Sequence, residues 1–191
     1  QLELIETAAL DPARAWTGSG IPLEFSIRGF HSATLSETGY QRTAALLTEQ
    51  MRFHAIGQEQ NRFRYAIGKG GAGKTVDVLC APDGREGRVA AGTVHHIAWR
   101  TPDDAQQHEW LAEVAHLGYN VSPIMDRVYF HSIYFREPGG ILFEIATDSP
   151  GFAIDEPLEH LGAGLKLPPW LEAQRARIEA ALPPIDRRLL Q

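Results

Sequence analysis

Three short stretches carry side chains that could do chemistry. GKGGAGKT (Gly68–Thr75) fits the phosphate-binding pattern G-x-x-x-x-G-K-[ST]. VHHIAW (Val94–Trp99) sets His95 beside His96, and LFEIAT (Leu142–Thr147) sets Glu144 between large apolar residues. The first would hold a nucleotide through backbone N–H groups at a helix N-terminus. The other two could bring imidazole and carboxylate together. With a second histidine they would make the two-His-one-carboxylate triad used by non-haem Fe(II) oxygenases.

A phosphate loop needs a strand before it and a helix after it. NRFRYAI (Asn61–Ile67) reads as the strand, but TVDVLCAP follows. Val76 and Val78 alternate with Asp77 and Leu79, and Pro82 and Gly84 close the run, so no helix fits. Strand, glycine-rich turn, strand is the pattern of a β-hairpin, with Lys69 and Lys74 in solvent.

The elements that must position the remaining candidates form a repeat. One unit opens with GFHSATL (Gly29–Leu35), continues with a helical stripe of Tyr40, Ala44, Leu47 and Met51, and ends with FHAIGQ, NRFRYAIG and TVDVLC. The next opens with TVHHIAWR and a helix begun by TPDD, with Pro102 at an early position, Thr101 or Asp103 as cap, Trp110, Val114 and Leu117 as stripe and Gly118 as stop. It ends with YNVSPIM, VYFHSIYF and GILFEIAT. Each unit is β-α-β-β-β. Aligned, Ser32 falls opposite His96 and Asp77 opposite Glu144. The opening QLELIE matches the same last strand, with Glu3 opposite both, which implies a piece of a longer protein with a preceding unit. The expected divisions are 1–28 (that last strand plus a linker, Leu10–Gly20), 29–87 (a structural unit), 88–150 (a metal-bearing unit) and 151–191 (an irregular Pro-rich tail closed by a helix over Leu171–Leu182).

The bulk numbers bound the function. The 191 residues are 43% hydrophobic and 22% charged, ordinary for a soluble globular chain. No apolar run reaches the ~18–20 residues of a membrane helix. A net charge of −6 without a basic run speaks against nucleic acid. The single cysteine, Cys80, excludes a disulfide framework and fits a reducing, cytoplasmic setting.

Strand parity sets His96 on one face with Val94 and Ala98, and His95 on the other with Thr93, Ile97 and Trp99. A single strand therefore cannot aim both histidines at one metal. His96 and Glu144 can meet on the concave face of a curved sheet. By spacing alone, a hydrogen-bonded core histidine and a strand-edge surface glutamate remain equally open readings. Trp99, Phe130 and Phe143 could line an aromatic site or form ordinary core. His54, His108, His116, His131 and His160 lack such a setting.

The repeat, with histidine on its first strand and glutamate on its last, resembles the vicinal oxygen chelate superfamily, which includes glyoxalase I, bleomycin-resistance proteins and type I extradiol dioxygenases. GTVHHIAWR, DRVYFHSIYFREPGGILFEIATDSPGF and DEPLEHLGAGLKLPPWLE resemble the C-terminal half of ring-cleaving dioxygenases of the hydroquinone-dioxygenase type. The resemblance implies an α+β fold of tandem βαβββ modules forming a curved, partly open mixed β-barrel with flanking helices. It implies Fe(II), or Mn(II), held by His96, Glu144 and the second histidine of an HH pair in an N-terminal unit of the same protein, with a hydroquinone or catechol and O2 as substrates. Tyr134, Arg127 and His95 match positions that bind substrate and handle protons. Ser32 is a poor stand-in for the third ligand, and His31 lies one position off, so this chain by itself carries an incomplete site. A homo-oligomer is compatible. Rival implications are a glyoxalase-like isomerase or lyase with a redox-inert metal, and a metal-free binding module of the bleomycin-resistance kind.

Overall fold

The structure, a computed structural model, describes residues 2–6, 20–85 and 87–183. It divides into two compact units, one ending at Arg88 and one beginning at Val89. The first holds β1 (Ser32–Glu37), α1 (Gln41–Ala45), β2 (Phe53–Glu59), β3 (Arg62–Ile67) and β4 (Thr75–Cys80) in a sheet of order β1-β4-β3-β2. The second holds β5 (Ile97–Thr101), α2 (Asp104–His116), β6 (Met125–Asp126), β7 (Phe130–Arg136) and β8 (Leu142–Pro150) in the order β5-β8-β7-β6. In both, the first strand lies parallel to the last and the other neighbours are antiparallel. The fold is mixed α+β with two open four-stranded sheets, neither closed into a barrel. Among the described residues no helix is long and apolar enough to cross a membrane.

Each sheet has an apolar face on its helix side. In the first unit Leu35, Val76, Val78 and Tyr65 are buried with Leu46 and Leu47. In the second, Ile133, Phe135, Phe143 and Ile145 are buried with Val114 of α2. Period-two alternation puts the remaining strand residues on the opposite face.

GKGGAGKT is the β3–β4 hairpin loop. Ile67 N donates to Lys74 O at 3.0 Å, and Gly70 and Gly71 take φ of +70° and +95°, which a side chain would strain. β4 begins at Thr75, so no helix offers its N-terminus to a phosphate.

Several expectations are corrected. QLELIE has strand alternation, but Leu2–Glu6 form no strand and join neither described sheet; a strand needs a hydrogen-bonding neighbour, and the unit expected to supply one is not among the described residues. The linker residues 10–19 lie outside the described residues, as do those beyond 183. YNVSPIM contributes only its last residue, Met125, to a strand, the two-residue β6. Pro123 cannot donate there, and Ser122 Oγ instead accepts from Tyr134 N at 3.0 Å. The first helix is α only over Gln41–Ala45 and continues as a π-helical turn over Leu46–Gln50. Pro102 stands outside α2. The cap is Asp103, whose side chain accepts from Gln106 N at 2.9 Å. The buried stripe starts a turn earlier than its apolar residues suggest, with Gln107, and Leu117 is exposed. The final helix, α3, spans Arg175–Ala181 and is preceded by a 3-10 segment over Pro169–Gln174. Removing the α2 cap with Asp103→Ala is expected to cost about 1 kcal/mol, seen as a lower urea midpoint at an unchanged slope.

Candidate functional site

The site is built on the helix-free face of the second sheet. In the register, Tyr134 of β7 lies directly opposite Glu144 of β8, with Ala98 of β5 on the other side. Cross-strand neighbours share a face. Ser132, opposite Ala146, lies diagonally beside Glu144. The Glu144 carboxylate is thus surrounded. Its Oε1 accepts from Ser132 Oγ at 2.5 Å and from Tyr134 OH at 2.8 Å, and its Oε2 lies 2.6 Å from His96 Nε2. Glu144 is only 2% exposed.

The two histidines depart from the alternation expected of them. β5 starts at Ile97, so His95 and His96 precede the regular strand. Their rings meet at right angles, with Nδ1 atoms 3.0 Å apart. His95, expected on the far face, thereby sits behind His96 and shares a hydrogen with it. Arg127 lies in the turn before β7, where Val128 has φ +71°, rare for a β-branched residue. The turn is closed by Val128 N donating to Asp126 Oδ1 at 2.7 Å, and Arg127 Cζ stands 5.4 Å from the Tyr134 ring centre, in cation–π range. All five predicted residues (His95, His96, Arg127, Tyr134 and Glu144) are therefore linked by contacts. Trp99 and Phe143 do not line this site. They pack edge to face on the helix side, the parity opposite to Glu144. Phe130 contacts Phe152 instead. His131 pairs with Asp104 at 2.7 Å.

Sequence reasoning passed over Ser132 and Gln107. Ser132 shares parity with Tyr134 and sits two residues before it, which was the available signal. Gln107 is fully buried, and its Nε2 donates to His131 O at 2.7 Å and Ile145 O at 2.8 Å. It ties β7 to β8 one residue from Ser132 and one from Glu144. A polar residue inside a helical stripe gives no sequence signal of this role.

The first unit has the same register with different chemistry. Asp77 lies opposite Thr34 and Arg64, as Glu144 does opposite Ala98 and Tyr134. Arg64 Nε and Nη2 donate to the two Asp77 oxygens at 2.7 and 2.8 Å, and Arg62 Nη1 adds a bond at 3.0 Å. Burial pushes the Asp77 carboxyl up, but the hydrogen bonds from Arg64 and Arg62 outweigh it and hold it below the usual carboxylate range. Ser32, at the His96 position, contacts only its neighbour His31 among the described polar partners, at 3.1 Å.

The contrast defines the class of site. Buried carboxylates are paired with cations or bind metals. Asp77 has two guanidiniums. Glu144 has two hydroxyls and an imidazole, and among the described residues no Lys or Arg pairs with it. Imidazole nitrogen and carboxylate oxygen together suit a transition metal of the Fe, Mn or Zn type. Among the described residues no third His, Cys, Asp or Glu joins them, so the fit is to two positions of a triad.

The chain thus carries two open βαβββ sheets, the second with a His/Glu pair on its helix-free face. The chain belongs to the Glyoxalase/Bleomycin resistance protein/Dioxygenase superfamily, whose family profile matches residues 29–145. It is 44% identical over 189 residues to MhqO of Bacillus subtilis strain 168, provisionally named a ring-cleaving dioxygenase, covering 99% of this chain and 60% of that one. It is 38% identical over 173 residues to the chlorohydroquinone/hydroquinone 1,2-dioxygenase of Sphingobium indicum, covering 89% of this chain and 54% of the relative. A B. subtilis crystal structure provisionally described as a dioxygenase superposes with a TM-score of 0.84 at 45% identity, over 91% of this chain and 56% of that one. The chain thus spans about 54–60% of the length of these relatives.

Proposed function

We propose that this chain is the metal-bearing part of a ring-cleaving dioxygenase acting on a hydroquinone- or catechol-type aromatic with O2. The supporting observation is Glu144, a buried carboxylate that among the described residues has none of the fixed cations of its counterpart Asp77 and faces His96 instead. The names of its relatives point the same way. In this reading the unit ending at Arg88 is structural and the unit beginning at Val89 holds the site.

His96 through Nε2 and Glu144 through Oε2 would hold Fe(II), with Mn(II) as an alternative, and a third ligand comes from outside the described residues. When bound, the metal supplies positive charge that stabilises a phenolate and a redox route between ring and O2. The chain's own residues supply the rest. Tyr134, half-buried beside His96, can turn its hydroxyl from Glu144 to a substrate oxygen and donate there. Arg127, exposed above the Tyr134 ring, adds positive charge where an anionic substrate enters. His95 holds one of the two ring nitrogens of His96 in a hydrogen bond, which fixes the ring so that the other nitrogen faces Glu144.

The test is to load the encoded full-length protein with Fe(II) without oxygen, then follow O2 consumption and ring-opened product with substituted hydroquinones. Oxygen uptake coupled to ring opening is expected, and His96→Ala abolishes it. Iron-retaining protein that consumes no O2, or that turns substrate over equally well without O2, overturns the reading.

A further inference from the structure

We propose that Ser132 is a positioning residue that makes Glu144 a one-oxygen ligand, holding Oε1 so that only Oε2 is presented beside His96. The proposal rests on the metal-site reading above. An ionised carboxylate accepts through two equivalent oxygens, and something must distinguish them. Here both hydroxyl donors converge on Oε1, Ser132 Oγ at 2.5 Å and Tyr134 OH at 2.8 Å, while Oε2 faces His96 Nε2 at 2.6 Å.

The two donors are not equivalent. Ser132 is fully buried, and its hydroxyl has a single proton, which Glu144 takes. Tyr134 is half-buried with Arg127 above its ring, at the accessible side of the cluster. When Tyr134 turns to a substrate, Ser132 alone keeps Oε1 satisfied and the carboxylate in its rotamer. The sheet supplies the room: Ser132 is diagonal to Glu144 and opposite Ala146, whose methyl leaves the space open. The other unit gives an independent indication. Its residues at the same two register positions, Arg62 and Arg64, also grip the strand-four carboxylate, Asp77. In both sheets these positions set the carboxylate.

The test compares, in the encoded full-length protein, wild type, Ser132→Ala and Ser132→Thr, titrated with Mn(II) and read by loss of the free-ion EPR signal. The infrared carboxylate stretches of the Mn(II)-loaded proteins report one- against two-oxygen binding. Ser132→Ala is expected to weaken Mn(II) affinity about tenfold or more, as loss of outer-shell partners does, and to move the carboxylate splitting toward two-oxygen binding. Ser132→Thr, which keeps the hydroxyl, restores both. Should the alanine variant not fold, Ser132→Cys keeps the volume with a weak donor and shows the same direction. Unchanged affinity and splitting in Ser132→Ala, against a wild type that binds, overturns the role of Ser132 and leaves the metal reading standing. Equal loss in folded Ser132→Thr also overturns it, since shape and not the hydroxyl would then matter. A wild type that takes up no Mn(II) overturns the metal reading and this inference with it.

Discussion

On the proposed metal-site reading, Glu144→Gln in the encoded full-length protein is expected to remove metal binding and ring cleavage while leaving the fold intact. Glutamine has the shape of glutamate, and its amide oxygen at the Oε1 position can still accept from Ser132 and Tyr134. At the Oε2 position it presents an NH2 group to His96, where a metal would meet a donor and not a lone pair. The loss should exceed the 10–100-fold typical of outer-shell changes, so Mn(II) affinity is expected to fall by more than about a hundredfold. Stability of the metal-free protein is expected to hold or rise. A buried carboxylate without a fixed cation carries a desolvation cost that a neutral amide avoids. Titration with Mn(II), together with urea unfolding of the same samples, separates the two effects. A variant that binds metal like the wild type would remove Glu144 from the site.

The matching change in the other unit should do the reverse. Asp77→Ala leaves Arg62 and Arg64 without their shared partner. Breaking a buried pair by removing one side costs about 3–5 kcal/mol when the other charge stays buried. Here the guanidiniums are 31% and 41% exposed and can turn to water, so a smaller cost than that range, about 2–3 kcal/mol, is expected. Mn(II) affinity should not change. The effect has a defined pH dependence. Asp77 is held below its ordinary value of 3.8, burial being outweighed by the hydrogen bonds from Arg64 and Arg62. A carboxyl with a lowered folded value adds stability above its unfolded value and loses it as pH falls through the folded one. The stability gap between wild type and Asp77→Asn is therefore full near neutral pH and shrinks below about pH 4. A gap that stays constant down to strong acid would show that the Asp77 charge is not the stabilising element.

Much of the frame was legible because strand patterns survive in short segments. TVDVLC could only be a strand once Pro82 closed it, and that alone dissolved the apparent phosphate loop. The placing of Asp77 against Glu144 follows from alternation and agrees with the register in both sheets, while Ser32 opens β1 and its counterpart His96 stands just before β5. What stayed hidden depended on where strands begin and on polar residues with structural work. His95 and His96 were assigned opposite faces on the premise that both lie in a regular strand, yet β5 starts just after them. The aromatic residues Trp99 and Phe143 were open to either role, although their parity opposes Glu144. Ser132 is a small residue in an aromatic-rich strand, and Gln107 is polar inside an apolar stripe. Neither advertises a partner until the third dimension supplies it. QLELIE shows the converse limit: alternation says that a strand could form, and only a neighbouring edge decides that it does.

The matched registers also make the chain a host for grafting. Four substitutions, Ser32→His, Arg62→Ser, Arg64→Tyr and Asp77→Glu, would write the residues of one sheet onto the corresponding positions of the other. The hydrogen-bond ladders place Arg62, Arg64 and Asp77 as they place Ser132, Tyr134 and Glu144, while Ser32 opens β1 and His96 stands one residue before β5, so the histidine graft also needs the strand start to shift. The arginine pair that neutralises Asp77 is then the main contrast between the two carboxylate positions, and the same swap run backwards would give Glu144's position fixed cations.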